Sequence, residues 1–127
     1  MPSDINLILD TCLNKSAHSA YTDVYNIQLK RGLSLVDIIS RLHELCVRVS
    51  FAPPVLEYLL DKLSDIEYRL TLGSSEKLQL AAMVGVFQIV AKKSNDYIDT
   101  QQNQNNNNTT QHNIQLMASD YDNADLV

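Results

Sequence analysis

The sequence predicts an all-α protein: a compact five-helix bundle over residues 1–94, followed by a disordered, Asn/Gln-rich tail over residues 95–127. Three observations lead there. Apolar residues recur at three- and four-residue steps through five successive segments, the period of a helix with one buried face. No segment alternates apolar and polar residues as a half-buried strand would. Short breaks carrying Gly, Pro or Ser separate the segments, as expected of antiparallel helices joined by tight turns.

Ser3 is placed to cap a first helix at about Asp4–Asn14, whose apolar face is Ile5, Ile8, Leu9 and Cys12. A second helix, about Ser16–Lys30, presents Ala17, Ala20, Tyr21, Val24 and Ile27. Lys30 and Arg31 sit where the negative end of the helix dipole favours cations, and Gly32 stops the helix. Ser34 and Asp37 fit a capping box with a shortened acidic partner. The third helix then runs to about Val49 on Leu35, Ile38, Ile39, Leu42, Leu45, Cys46 and Val49. Pro53 and Pro54 suit the first turn of a fourth helix. Leu59, Leu60, Leu63, Ile66 and Leu70 form its stripe, with Asp61, Lys62, Asp65 and Arg69 on the other side. Asp65 precedes Arg69 by four positions, the order that supports a helix. Gly73 ends this helix, Ser74 or Ser75 caps the next, and Glu76 lies at its positive end. The fifth helix, about Ser75–Lys93, is apolar on nearly every side, so burial on all sides is expected, within the domain or between subunits. Ala81, Ala82 and Gly85 would admit a close neighbour, which would account for a glycine inside a helix.

The formal net charge is −5, from 15 acidic and 10 basic residues. All the Lys and Arg lie before Asn95, balanced there by as many acids. The remaining acids are Asp96, Asp99, Asp120, Asp122 and Asp125, so the whole excess belongs to the tail. A neutral body lacks the clustered basic face that grips phosphates. Gln101–Thr110, QQNQNNNNTT, is too polar to build a core. Gln111 and Ile114 begin a sliding-clamp-binding box, but Met117 and Ala118 stand where aromatics belong, and the tail is read as inert. Cys12 and Cys46 fall on apolar helix faces without a Cys-x-x-Cys pattern, which suits buried thiols in a reducing compartment. The polar start MPSDIN predicts no signal peptide, and no apolar run reaches the ~18 residues of a membrane span.

No catalytic constellation emerges. The three glycines, Gly32, Gly73 and Gly85, form no phosphate-cradling loop with a following lysine. His18, His43 and His112 are scattered, and Val47 occupies the position four after His43 where a second metal ligand would stand. The acid pairs Asp61/Asp65 and Asp65/Glu67 read as surface charge. No catalytic residue, metal ligand or cofactor is therefore assigned.

The segments DKLSDIEYRL and GSSEKLQL around the fourth turn carry a resemblance. With Asp4–Asp10, Gly32–Ile38 and Phe87–Gln88 in order, the chain from about residue 4 to 92 resembles the C-terminal collar domain of the small subunits of replication factor C, the eukaryotic clamp loader, and the fifth subunit most. That resemblance implies a helical unit that packs beside other collars and holds AAA+ modules in a ring, for clamp loading in DNA replication and repair in the nucleus. In that family the nucleotide machinery precedes the collar, so the resemblance places none of its roles on this chain. The implied partners are other replication factor C subunits, with the clamp and DNA reached only through the complex, and no membrane or small-molecule substrate. Candidate subunit-interface residues are Asp65, Tyr68, Arg69, Glu76, Lys77, Ala81, Ala82 and Gly85. The alternative is a free-standing helical adaptor, or a competitor of the intact subunit.

Overall fold

A computed structural model describes the backbone of residues 2–125 and the side chains of residues 3–119. The helices are α1 (Pro2–Asn14), α2 (Ala17–Arg31), α3 (Leu35–Arg48), α4 (Pro53–Thr71) and α5 (Glu76–Asp125), with no strand among the described residues. The fold class expected from the sequence is the one found. The chain divides into two units, Met1–Ser94 and Asn95–Val127.

Within the first unit, local chemistry sets the helix ends. Ser16 accepts a bond from the Ser19 N–H (3.4 Å) and Ser34 one from the Asp37 N–H (3.2 Å), so both act as N-caps. Only the serine arm of the anticipated Ser34–Asp37 box is formed. Ser3 lies inside α1 rather than capping it, because the helix already begins at Pro2. Gly32 takes the left-handed conformation, φ 64°, while the Leu33 N–H bonds the Gln28 carbonyl at 3.1 Å. Gly73 repeats the device at φ 85°, with Gly73 N–H to Leu70 O at 3.1 Å and Ser74 N–H to Arg69 O at 3.2 Å. These are Schellman closures, in which an L side chain at the glycine would be strained.

Helices α1 and α2 pack as one pair, α3 and α4 as another, and α1 also packs on α3. The core draws Ile5, Ile8, Leu9 and Cys12 from α1 and Ala20 and Val24 from α2. Helix α3 adds Leu35, Ile38, Ile39, Leu42 and Cys46, and α4 adds Val55, Leu59, Leu63 and Ile66. Leu80, Met83, Val84, Phe87 and Val90 of α5 complete it. Polar ties hold the pieces in register. Ser40 Oγ donates to Glu67 Oε1 between α3 and α4 (3.3 Å), and Arg31 faces Asp4 at 3.6 Å. The ammonium groups of Lys62 and Lys93 lie 5.7 and 5.0 Å from the Tyr58 ring centroid, a cation–π link between α4 and α5.

In the second unit every described side chain from Asn95 to Ser119 is exposed, so the polar stretch builds no core, as its composition requires. Its backbone is helical to Asp125. No Gly or Pro follows Gly85 to interrupt the helix. Thr100, Thr109 and Thr110 return their hydroxyls to the carbonyls four residues earlier, each at 2.9 Å. A helix with no packed face rests on its backbone bonds alone and is marginal in water.

Both cysteines are free and buried. Desolvation pushes the Cys12 thiol up to about 12 and the Cys46 thiol up to about 11, from an ordinary 9.0. Above about pH 9 the unfolded chain loses thiol protons that the folded chain keeps. Unfolding then releases protons, and stability falls as pH rises toward the folded values. Urea midpoints should therefore be insensitive to these thiols below pH 9 and decline above it, with a shallower decline in Cys12→Ala.

Candidate subunit interface

The sequence-predicted interface residues fall in two groups on α4 and α5. The first surrounds the turn between the helices. Asp65, Tyr68 and Arg69 occupy the last turns of α4 and are exposed. Beyond Gly73, Ser75 accepts from the Leu78 N–H at 3.5 Å, and Glu76 and Lys77 open α5. The expected Asp65–Arg69 pair does not close. Ion pairs among the described residues are Lys15–Asp23 at 2.5 Å and Arg31–Asp4 at 3.6 Å. Two long, solvated side chains gain little by fixing one geometry.

Glu76 has a role inside the domain that sequence reasoning did not supply. Its Oε1 accepts from the Leu35 N–H at 2.7 Å and from Gln28 Nε2 at 3.2 Å. Leu35 is the first residue of α3, so its N–H has no partner within the helix. One carboxylate thus serves the positive ends of two helices, α3 across the turn and α5 on which it stands. Gln88, three turns further along α5, does the complementary work. Its Nε2 donates to the carbonyls of Cys12 (3.0 Å) and Lys15 (2.8 Å), at the C-terminal end of α1. Neither partner set has a local sequence signal, because the residues involved are far apart in the chain. Lys77 shares a shallow groove with Tyr25, Leu29, Leu33 and Leu80.

The second group runs along α5. Ala81 is exposed, and Ala82 and Gly85 are half-buried. Leu78 (69% exposed) and Ile89 (46% exposed) continue the same stripe at helical spacing. The expectation of burial on every side therefore fails within this chain. One face of α5 enters the core, and the face bearing Leu78, Ala81, Gly85 and Ile89 lies open. At the corner Tyr68 (65%) and Leu72 (68%) extend the exposed apolar surface. Close packing within the domain does not explain Gly85, since a Cβ built there meets nothing within 4 Å. Leu78 and Ile89 were missed as surface residues, because a helix apolar all round gives no clue to its outward side, and Leu72 was missed because it lies past the end of the α4 stripe.

No cluster of His, Cys, Asp or Glu among the described residues could hold a metal ion. No helix among them is long and apolar enough to cross a membrane. The arrangement offers apolar contact and a few charges, the chemistry of association.

Two stability effects follow. Glu76→Ala strands the Leu35 N–H and should cost about 1 kcal/mol in chemical denaturation. Gly85→Ala, with open space for its methyl, should stabilise the isolated domain by about 1 kcal/mol.

Residues 1–86 match the family model for the replication factor C C-terminal domain. Over 89 residues, 70% of this chain and 26% of the relative, the sequence is 47% identical to the probable replication factor C subunit 5 of Dictyostelium discoideum. Identity to replication factor C subunit 5 of Homo sapiens is 40% over the same length, again 70% of this chain and 26% of the relative. The replication factor C small subunit of Pyrococcus horikoshii is 32% identical over 92 residues, 72% of this chain and 11% of the relative. The chain thus spans about a quarter of the length of the subunit 5 relatives it matches. An all-α fold, the match over residues 1–86 and these identities together place it: the chain belongs to the replication factor C C-terminal domain family.

Proposed function

We propose that this domain is an oligomerisation module of a clamp-loader small subunit, docking beside the collar domains of other replication factor C subunits. The observation that carries this reading is the open apolar stripe of α5, Leu78, Ala81, Gly85 and Ile89, running from a corner that exposes Tyr68 and Leu72. Contiguous exposed apolar surface on a small domain marks a protein contact. Small residues at the centre of the stripe let a partner's backbone come near, with Leu78 and Ile89 as anchors at either end. Asp65, Arg69 and Lys77 would form a charged rim around it, the usual anatomy of an association surface. Glu76 contributes by holding the corner in shape.

In this role the chain performs no catalysis. It acts within the nucleus on DNA replication and repair through the complex, and meets the sliding clamp and DNA through its partner subunits. Support comes from the family membership and from the exposed apolar stripe of α5.

The test is affinity capture of the tagged chain from its own cells, with mass spectrometry of what co-purifies. The expected result is recovery of other replication factor C subunits. Gly85→Leu, whose Cβ meets nothing within the domain, should keep the helical spectrum and thermal transition yet lower that recovery at least fivefold. Recovery of none by a folded, monomeric chain would exclude the assembly role and leave the adaptor reading. Unchanged recovery by Gly85→Leu would move the contact off α5.

A further inference from the structure

A second surface lies on the face formed by α1 and α3, away from the stripe of α5. Ile5, Asn6, Arg41, Glu44, Leu45 and Arg48 line a groove of about 270 Å³. Its floor is apolar, with Ile5 buried and Leu45 half-buried. Arg41 and Arg48 stand seven positions apart on α3, two helical turns, which puts them on one side about 10 Å from each other. Both are exposed, and neither has an ion-pair or hydrogen-bond partner among the described residues. Glu44 sits between them in sequence, three after Arg41 and four before Arg48, and closes on neither. The groove therefore presents two guanidinium groups against one carboxylate, above an apolar floor, in a body whose charges sum to zero.

We infer that this groove docks an acidic peptide segment of another protein, one that places an apolar side chain between two carboxylates. Charge complementarity selects the occupant. Guanidinium groups pair with carboxylates through two parallel hydrogen bonds, a geometry an ammonium cannot match. An extended chain advances about 3.3 Å per residue and alternates its faces, so carboxylates four positions apart share a side about 13 Å from each other, a span the long side chains of the two arginines cover, with the residue midway between them on the same side. The intervening side chain then lies over Ile5 and Leu45, and the Asn6 amide is available to the peptide backbone. Glu44 disfavours the ligand by like charge and limits its affinity. This site is independent of the collar association, which uses α4 and α5.

Fluorescence anisotropy on the full chain tests it. The probe is a fluorescein-labelled peptide, Gly-Asp-Ser-Leu-Ser-Asp-Gly, with an Asn-for-Asp version as control. Saturable binding that weakens with salt is expected, reduced at least tenfold in the Asn control and in the double variant R41Q/R48Q. Glu44→Gln removes a charge without touching the core and should tighten binding several-fold. Absent saturable binding, equal binding of the control peptide or of R41Q/R48Q, or no gain in Glu44→Gln would each overturn the proposal. Capture of replication factor C subunits by R41Q/R48Q, at the level of the unaltered chain, is the further expected result. Its loss would assign the groove to the collar assembly and overturn the independent site.

Discussion

Helix α5 can occupy only one register against the other four, and the rest of the domain depends on that. Glu76 must reach the Leu35 N–H while Gln88, about 18 Å further along the axis, reaches the carbonyls of Cys12 and Lys15. Between these two anchors Leu80, Met83, Val84 and Phe87 enter the core. Sliding α5 by one turn would break both anchors and leave unsatisfied backbone groups at two helix ends. Apolar contact supplies most of the stabilisation, but it is tolerant of small shifts. The polar anchors choose among near-equivalent packings, since an orphaned buried donor or acceptor costs more than a made hydrogen bond gains.

The same register decides what α5 leaves outside. With Phe87 and Val90 turned inward, Leu78, Ala81, Gly85 and Ile89 necessarily face away. A domain of this size buries only part of its apolar surface. Here the surplus is concentrated on one helix and at the corner beside it, rather than scattered. Tyr68 and Leu72 stand there because the Gly73 closure reverses the chain abruptly and brings the end of α4 beside the start of α5. Local turn chemistry and global association surface are in this way connected through three residues.

What the sequence made legible was local. Gly32 and Gly73 announced left-handed stops, Ser34 and the Ser74–Ser75 pair announced caps, and Pro53–Pro54 announced the start of α4, whereas Ser16 read as part of its helix rather than as the cap it is. The inward faces of α1, α3 and α4 followed from spacing, because each has a polar side to contrast with its apolar one. Helix α5 lacks that contrast, so Leu78 and Ile89 read as buried with no sign of whether this chain or a neighbour covers them, and within this chain they are exposed. Glu76 read as a first-turn acid of its own helix, and its bond to Leu35 depends on tertiary geometry that no local pattern records. Asp65 and Arg69 have the right spacing for an ion pair, yet solvent competes successfully for both. Of the candidate interface, the residues were legible as types and positions. For Gly85 the sequence left open whether the close neighbour belonged to the domain or to another subunit, and the open space around it removes the first.

The long-range anchors also order events in time. The α1–α2 and α3–α4 pairs are built from neighbouring segments and can form as the chain emerges during synthesis. Gln88, by contrast, closes on a residue made 76 positions earlier, and Phe87 fills the centre of the core from the same helix. Until the Leu80–Val90 part of α5 has left the ribosome, the two helix pairs lack the residues that complete their core, and the apolar surface left open is the kind that chaperones hold. The run Gln101–Thr110 follows that segment in synthesis and carries no apolar side chain that could compete for the open surface.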